Sequence, residues 1–370
     1  MIQDILKKAK AFKKLTQKDL GVLLNVRVET KAYFDVLSAA NEVKKKVLGT
    51  DVYLPVPLYV SNFCRNKCLY CACRATNRKI ERKRLTEKEL GKEIDALTKN
   101  GFKIIELAYG DDPLLSINTY VEHIKILKGK LNKIKGLVAL NARPFKLEEY
   151  KLLYRAGVDI IINWQETYNR SQFKNLHPKG DPKSNYDFRV LAQDRMLKAG
   201  IKNVGIGILF GLYDFKKDVI SLVRHGRRLI YNYNISPIIG IPRVKIAQAQ
   251  IYKPARYFVD DHQLKLAVAV LRLAMPHSHI FVSTRENKQL AYELLNNGGG
   301  NIFASKCSVF PGGYASKNNP EHGQFKVFSF SPENVCKDMQ KMGYKPTFNV
   351  HPNNFNTTKK PPYGRQIPRG

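Results

Sequence analysis

The sequence predicts an α/β protein, a complete (β/α)8 barrel of the TIM type with a helical extension before it and a coil tail after it. From Asp51 onward, eight short apolar runs alternate with longer amphipathic stretches, which is typical of parallel strands separated by helices. Residues 1–50 instead place apolar residues at helical spacing, and residues 351–370 are rich in Pro and Asn. We therefore expect a helical extension over 1–50, the barrel over 51–350 and a flexible basic tail over 351–370.

Each of the eight barrel units is assigned a strand and a helix. The strands are predicted at 53–60, 103–109, 137–141, 158–163, 203–210, 237–241, 279–282 and 300–304. The helices are predicted at 86–99, 118–130, 146–155, 186–199, 214–231, 261–274, 287–296 and 332–342. Glycines at 101, 157 and 200 follow three of these helices, where a left-handed residue commonly ends a helix.

Composition limits the protein class. A chain of 370 residues with 44% hydrophobic residues can bury a substantial core. No apolar run approaches the ~18–20 residues that a membrane helix needs, and no apolar signal segment stands at the start. We therefore expect a cytoplasmic protein with reduced cysteines and no membrane partner.

The formal charge of +32 would attract any polyanion. Lys and Arg recur along the whole sequence, however, and do not form one block. A solvated basic surface is the favoured interpretation, and a nucleic-acid partner stays open without being favoured.

Three of the six cysteines fall within eight residues, in the segment Cys64-Arg-Asn-Lys-Cys68-Leu-Tyr70-Cys71. Three thiolates on one loop can hold three irons of a [4Fe–4S] cluster, because soft sulfur ligands suit such clusters. The fourth iron then has no protein ligand and can bind the amino and carboxylate groups of S-adenosylmethionine (SAM). This spacing, with Tyr70 before the last cysteine, is the radical SAM signature. Cys64, Cys68 and Cys71 are therefore the predicted cluster ligands.

Other uses of these cysteines are disfavoured. A structural zinc would need four ligands, and only Cys73 is near enough to be the fourth. A disulfide cluster is less favoured still, because Cys307 and Cys336 lie far along the chain.

Polar or reactive residues follow every predicted strand. Since the chemistry of such barrels lies at the carboxyl ends of the strands, these residues predict one enclosed active site. Besides the cysteine loop they are 109–112, Asn141, 165–168, 207–214, 242–243, 283–286 and 305–308.

Several longer segments point to a known family. The densest run is 177–189 (HPKGDPKSNYDFR), which continues through 194–214, and it is accompanied by 165–168 (QETY), 283–286 (STRE) and 311–314 (PGGY). On these segments the chain resembles, over about residues 10–350, the radical SAM aromatic amino acid lyases. That family includes 2-iminoacetate synthase (ThiH) and the [FeFe]-hydrogenase maturase HydG.

The resemblance implies a reaction. A [4Fe–4S] cluster, reduced by an electron donor such as ferredoxin or flavodoxin, would cleave SAM to a 5′-deoxyadenosyl radical. The radical would take hydrogen from the amino group of bound tyrosine, and the Cα–Cβ bond would break to give dehydroglycine and p-cresol. Such chemistry needs a sealed and oriented pocket.

The resemblance also implies residue roles. Residues expected to bind SAM are Tyr70, Gly110, Asp111, Asp112, Glu166, Arg189, Gly207, Leu209 and Gly211. Residues expected to bind the substrate are Arg285, Ser283, Phe303 and Ser305, and the catalytic candidates are Arg285 and Glu166. Three alternatives stay open: Glu166 as a buried structural carboxylate, Arg189 as a surface residue of a helix, and Arg285 in a salt bridge with Glu286.

The chain departs from the family pattern at three places. Segment 343–351 lacks the C-x2-C pair of the maturase, so we expect no auxiliary cluster and no CO or cyanide formation by that route. Phe303 stands where relatives carry a serine that helps to hold the substrate carboxylate, and Asp111 stands where they carry a longer glutamate. Two other functions therefore stay open: a radical SAM enzyme that modifies RNA, and a catalytically diverged paralogue that acts in metallocofactor assembly.

Overall fold

The computed structural model describes residues 1–247, 249–315, 325 and 327–348. Over these residues the α-helices are α1 Ile2–Lys10, α2 Gln17–Leu24, α3 Lys31–Leu48, α4 Glu87–Lys99, α5 Ile117–Asn132, α6 Leu147–Arg155, α7 Arg170–Leu176, α8 Tyr186–Val190, α9 Ala192–Lys198, α10 Phe215–Tyr233, α11 Asp261–Ala274, α12 Lys288–Asn296 and α13 Pro332–Lys341. The strands are β1 Asp51–Tyr53, β2 Val56–Ser61, β3 Ile104–Tyr109, β4 Leu137–Asn141, β5 Ile160–Ile162, β6 Asn203–Gly207, β7 Ile238–Gly240, β8 Ile280–Val282, β9 Ile302–Phe303 and β10 Lys345–Thr347.

All the strands described here form one parallel sheet, in the order β10-β1-β9-β8-β7-β6-β5-β4-β3-β2. The sheet closes into a barrel through β1 and β2, which follow one another in the sequence. Strand β1 pairs with β9, where Tyr53 lies opposite Ile302, and β2 pairs with β3 at the other edge of the sheet. A bridge between Leu58 and Ser308 joins β2 to the residues after β9. Pro55 lies in the break between β1 and β2, where it cannot donate to a ladder. The predicted (β/α)8 barrel is confirmed.

Helix starts follow the local sequence. Three helices are preceded by a residue whose side chain accepts a hydrogen bond from the third backbone N–H of the helix, namely Thr16, Thr86 and Asp260. The side chain at that third position in turn accepts a hydrogen bond from the backbone N–H of that preceding residue. Such capping boxes satisfy two backbone groups that a helix start leaves without partners. They set where α2, α4 and α11 begin and so help to orient the helices that surround the barrel.

The predicted N-terminal helical extension is confirmed as α1, α2 and α3, which all pack on α11. Lys44 of α3 is fully buried. Its Nζ donates a 2.8 Å hydrogen bond to the Leu295 carbonyl of α12 and lies 4.1 Å from the centre of the Tyr344 ring, just before β10. Burial, with the nearby Arg272 charge, lowers the pKa of Lys44 to about 6.

Most predicted elements are present with shifts of one or two residues at their ends, and β4 and α11 have the predicted bounds. The elements that were not predicted include α7, the short β1, and β10, which pairs with β1. One predicted helix, 186–199, is divided into α8 and α9 at Leu191. The predicted tail 351–370 lies outside the described residues.

The inner face of the barrel has an apolar floor, made by Tyr53, Ile104, Leu137, Ala139, Ile160, Ile162, Ile238 and Ile302. Alternate strand residues, such as Ile105 and Leu107 of β3, point outward into the larger core between sheet and helices. No helix among the described residues is long and apolar enough to cross a membrane. The floor closes one end of the barrel, so access to its interior is from the carboxyl ends of the strands.

Candidate active site

A cavity of about 400 Å³ occupies the barrel above this floor. Its lining includes residues from each of the eight predicted strand-end groups: Cys64, Cys68, Cys71, Asp111, Asn141, Glu166, Leu209, Pro242, Arg285 and Cys307. These strand ends therefore converge on one cavity, as predicted. The cavity is large enough for a small-molecule ligand and cofactor.

Arg82 holds the loop that carries the three cysteines. Its guanidinium donates hydrogen bonds to the backbone carbonyls of Asn62 and Cys73, at 2.5 and 3.0 Å, and of Arg74 and Asn77, at 2.8 and 3.1 Å. The planar fork of an arginine suits several acceptors at once. One side chain thus connects both ends of the cysteine loop.

The three cysteines lie close to one another and face the cavity. Burial raises the pKa of Cys68 to about 12, and it also raises the pKa of Cys64, with a further increase from Cys71 in each case. The Asn66 amide donates to Cys64 Sγ at 3.7 Å. Thiols packed together without a cation are costly to ionise, whereas iron would stabilise all three thiolates. This donor set fits an iron–sulfur cluster.

Glu166 is bound by two cations at the cavity wall. Lys183 Nζ lies 2.6 Å and Arg189 NH2 lies 3.3 Å from Glu166 Oε1, and Arg189 Nε donates to the Trp164 carbonyl at 2.7 Å. Burial alone would raise the pKa of Glu166, but the two cations hold it below its usual value. The structure places Arg189 in this buried network and not on a helix surface.

The backbone at Glu166 is strained: its φ is +73°, in the left-handed region that is unfavourable for a residue with a Cβ. The loop is held on both sides, because the Glu166 carbonyl accepts from Leu209 N at 2.8 Å and the Asp218 carboxylate accepts from Tyr168 N at 2.8 Å. Burial raises the pKa of Asp218 to about 7. The left-handed backbone at Glu166 and the two hydrogen bonds that hold its loop together direct the Glu166 side chain toward the cavity.

Gly110 and Asp111 meet the cysteine loop. A Cβ at Gly110 would lie 2.1 Å from the Phe63 carbonyl oxygen, so only glycine permits this approach. Asp111 lines the cavity and accepts hydrogen bonds of 3.0 Å from both Arg65 Nε and Asn66 Nδ2. Asp111 therefore connects the loop to the end of β3.

Asp112 has another role than the one expected. It does not line the cavity, and its carboxylate accepts two hydrogen bonds of 2.6 Å from Arg84 and one of 2.6 Å from Ser61. These three strong donors give Asp112 a structural role, in which it joins Arg84 and Ser61 to the end of β3. Its expected contact with SAM stays a prediction.

Tyr70 and Leu209 line one side of the cavity next to Cys68. The Tyr70 hydroxyl is 2.9 Å from His177 Nε2, and burial, with the Lys183 charge, lowers the pKa of His177 to about 3. The pair is therefore neutral and fixed, which holds the tyrosine ring in place beside the cysteines.

Gly207 and Gly211 do not line the cavity. A Cβ at Gly207 would lie 2.2 Å from the Gly240 carbonyl oxygen and 2.4 Å from the Trp164 ring. Gly211 has a φ of +101° and its carbonyl accepts from the Tyr252 hydroxyl at 2.6 Å. Gly207 therefore leaves room for the Trp164 indole, and Gly211 permits a turn. Their expected approach to adenine stays a prediction.

Arg285 lines the cavity, as does Ser283, which accepts from Arg285 N at 3.2 Å. The guanidinium donates to the Arg243 carbonyl at 2.9 Å and lies 3.8 Å from the centre of the Phe325 ring. Glu286 is bound instead by Arg243 and Lys245. Among the described residues no carboxylate forms an ion pair with Arg285. Burial lowers the pKa of Arg285.

Phe303 and Ser305 do not line the cavity, and their expected contact with substrate stays a prediction. Alternate residues of a strand face opposite sides, and in β9 it is Ile302 that faces inward. Phe303 stacks on Tyr292 and packs near Phe330 in the outer core. The change from serine to phenylalanine therefore leaves the cavity wall unaltered at this position.

Several cavity residues had no role predicted from the sequence, among them Tyr59, Glu106 and Lys183. Lys183 lies within the segment 177–189 that carried the family resemblance, so that segment was the available signal. Glu106 is an acidic residue in the middle of an apolar strand, which is itself unusual for a buried strand.

Comparison with known proteins identifies the family of the chain. Residues 58–225 match the family model of the radical SAM superfamily, and residues 239–361 match the biotin and thiamin synthesis associated domain. The chain is 29% identical over 339 residues to 2-iminoacetate synthase of Escherichia coli strain K12, covering 90% of this chain and 87% of the relative.

Two solved structures extend the similarity to the fold. A crystal structure of HydG, a maturase of the [FeFe]-hydrogenase, is 32% identical with a TM-score of 0.86, covering 94% of this chain and 76% of that one. HydG from Carboxydothermus hydrogenoformans is 27% identical with a TM-score of 0.85, covering 96% and 81% respectively. The chain therefore belongs to the radical SAM superfamily, in the group of 2-iminoacetate synthase and HydG, and its cofactors are a [4Fe–4S] cluster and S-adenosylmethionine.

Proposed function

We propose that this protein is a radical SAM carbon–carbon lyase that cleaves tyrosine, or a closely related amino acid, to dehydroglycine and p-cresol. Cys64, Cys68 and Cys71 would hold the cluster. When bound, the cluster and SAM supply a carbon radical able to remove hydrogen from an amino acid. The barrel contributes an enclosed space that keeps water and other hydrogen sources away from that radical.

The other groups near the cysteine loop would orient SAM. Asp111 has a carboxylate at the cavity wall that can accept from an ammonium group beside Arg65 and Asn66. Glu166, ionised and fixed by its two cations, can accept hydrogen bonds from ribose hydroxyls. Leu209 and Tyr70 offer apolar surface next to Cys68 for an adenine or ribose face.

The observation that carries the proposal is Arg285. A buried guanidinium without an anionic partner is energetically unfavourable, so its presence in the cavity favours an anionic ligand. A carboxylate matches its planar fork and would bind through two hydrogen bonds. Since the cysteine loop opens into the same cavity, an amino acid bound at Arg285 would lie within the space where the radical forms.

The proposal is tested by anaerobic reconstitution with iron and sulfide, followed by incubation with SAM, a reductant and tyrosine. We expect 5′-deoxyadenosine and p-cresol in proportion. Background formation of 5′-deoxyadenosine with tyrosine and related amino acids, together with no p-cresol, would contradict the lyase assignment.

Two pairs of variants separate the roles. Cys68→Ala should lose cluster absorbance and SAM cleavage, whereas Cys336→Ala, a half-buried cysteine of α13 outside the cavity, should keep both. Arg285→Gln should bind SAM normally and lose p-cresol formation at least ~100-fold. Arg155→Gln, on the exposed end of α6, should behave as the wild type. Normal p-cresol formation by Arg285→Gln would overturn the assignment of the carboxylate site.

A further inference from the structure

The deeper part of the cavity, here named the inner chamber, is lined by Tyr59, Glu106, Asn141, Arg285 and Cys307. The Cys307 thiol lies within electrostatic range of both Glu106 and Arg285, although burial is the main cause that raises its pKa to about 12. Tyr59 is affected by the same two charges. Glu106 and Arg285 therefore border one continuous space from different sides of the barrel.

Glu106 differs from the other carboxylates of the cavity. Asp111 and Glu166 both have cationic partners. Among the described residues, Glu106 has no ion pair and accepts one hydrogen bond, of 2.8 Å, from Asn141 Nδ2. Burial raises its pKa, and the Asn141 hydrogen bond offsets only part of that increase.

The strand geometry aims Glu106 inward. In β3 the cavity-lining residues are Ile104, Glu106, Ala108 and Tyr109. Asn141 ends the neighbouring β4 opposite Ala108, two residue pairs beyond Glu106 in the register. The residues around this polar pair are the apolar Ala139, Ile160, Ile162, Trp164, Ile238, Phe281 and Ile302. A carboxyl group in such surroundings is unfavourable unless a ligand completes its hydrogen bonds.

We propose that Glu106 and Asn141 form the subsite that binds the hydroxyl at the far end of the substrate side chain, so that the enzyme selects a phenol over an unsubstituted ring. This inference rests on the proposed lyase function, since it takes Arg285 as the site of the amino acid carboxylate. The apolar walls suit the aromatic ring between the two ends. The substrate hydroxyl donates to the Glu106 carboxylate, and the Asn141 side chain fixes that carboxylate.

An ammonium side chain suits the subsite less well. A lysine-like substrate would place a full charge among apolar walls, whereas a phenol is neutral. The Arg285 and Glu106 groups then each satisfy one polar end of a single aromatic amino acid.

The test is equilibrium binding, by calorimetry, of tyrosine, phenylalanine and lysine to the reconstituted holoenzyme with SAM. We expect the wild type to favour tyrosine over phenylalanine at least ~100-fold, because a buried site built for a hydroxyl rejects a ligand without one. Glu106→Leu should reduce that preference to less than ~10-fold. Glu106→Gln, which keeps an acceptor and the side-chain shape, should fall between the two. Glu148→Leu, at an exposed position on α6, should match the wild type.

The outcomes distinguish the two proposals. Equal affinity for tyrosine and phenylalanine, tighter binding of lysine, or an unchanged preference in Glu106→Leu would overturn the subsite and leave the lyase standing. Selective binding of tyrosine without p-cresol formation would overturn the lyase and leave the subsite standing. Binding of no amino acid would overturn both. Unchanged SAM affinity in every variant shows that the barrel is intact.

Discussion

Lys183 donates a hydrogen bond of 2.6 Å to Glu166, and the two residues come from separate loops at the mouth of the barrel. Glu166 follows β5, whereas Lys183 lies in the short 3-10 helix Pro182–Ser184. Lys183 Nζ also lies 5.5 Å from the centre of the Tyr70 ring. One lysine therefore connects the cysteine loop with the carboxylate that we assign to SAM.

Loss of Lys183 should weaken SAM binding. Lys183→Met removes the nearer cation from Glu166, which raises the pKa of that carboxyl and leaves it with Arg189 alone. We expect SAM to bind about tenfold more weakly, measured by calorimetry on the reconstituted protein, which corresponds to ~1.4 kcal/mol. Lys179→Met changes an exposed lysine four residues earlier and should bind SAM as the wild type does. Equal affinity in both variants would contradict the role of Lys183.

Arg82 should control assembly of the metal site. Arg82→Met removes four hydrogen bonds to the backbone of the cysteine loop, so the loop loses its fixed shape. We expect less than half of the wild-type iron content after reconstitution under identical conditions, and a lower unfolding temperature. Arg78→Met alters an exposed arginine of the same loop and should leave the iron content unchanged. Full iron incorporation in Arg82→Met would show that the loop does not depend on this residue.

Lys44 should make stability depend on pH. The folded protein releases the Lys44 proton at about pH 6, whereas the unfolded chain keeps it to the ordinary lysine value of 10.5. The unfolded state binds more protons between these values, so stability rises with pH across this window. Lys44→Met removes that dependence and should raise the free energy of unfolding at pH 7 by more than about 1 kcal/mol, despite leaving the Leu295 carbonyl without its donor.

The measurement for Lys44 is thermal unfolding of the metal-free protein at pH 6.5 and pH 9.5. The stabilisation by Lys44→Met should be larger at the lower pH. Lys45→Met, at the exposed neighbouring position of α3, should change little at either pH. A greater stabilisation at pH 9.5 than at pH 6.5 would contradict the account.

Gly207 should tolerate no side chain. A methyl group there meets the Gly240 carbonyl and the Trp164 ring, and neither can move freely inside the barrel. We expect Gly207→Ala to destabilise the fold by about 1–3 kcal/mol in urea unfolding. Gly91→Ala, in the open interior of α4, should stabilise by about 0.5–1 kcal/mol because alanine is the better helix former. A neutral Gly207→Ala would show that Trp164 can be displaced.

The sequence predicted the barrel well where apolar periodicity was strong. Helix α11 and strand β4 were predicted with their observed bounds, because each is a clear apolar pattern with distinct ends. Strand β10 was missed because Lys-Pro-Thr has no such pattern and is held by pairing with β1. Helix α7 was missed because it has seven residues and buries two of them.

Within the site, the sequence predicted which loops meet but not which side chains face inward. The cysteine loop, Glu166 and Arg285 were predicted from motifs and lie in one cavity. The side chain of Phe303 was expected in the cavity but lies outside it. The face to which a strand residue points depends on the register of the strand, and a shift of one residue reverses that face. Glu106 was missed because the site was predicted from residues at strand ends, whereas Glu106 lies in the middle of β3.

The way in which the barrel closes also orders its biosynthesis. The cysteine loop follows β2, and β1 comes just before β2 in the chain. Strand β1 pairs with β9 and β10, which are more than two hundred residues later in the chain. Contacts so distant along the chain form last during synthesis, so most of the protein must be synthesised before the barrel can close. Insertion of an iron–sulfur cluster into the closed barrel would therefore follow synthesis of these last strands, and the three thiols of the newly made chain are accessible until the barrel encloses them.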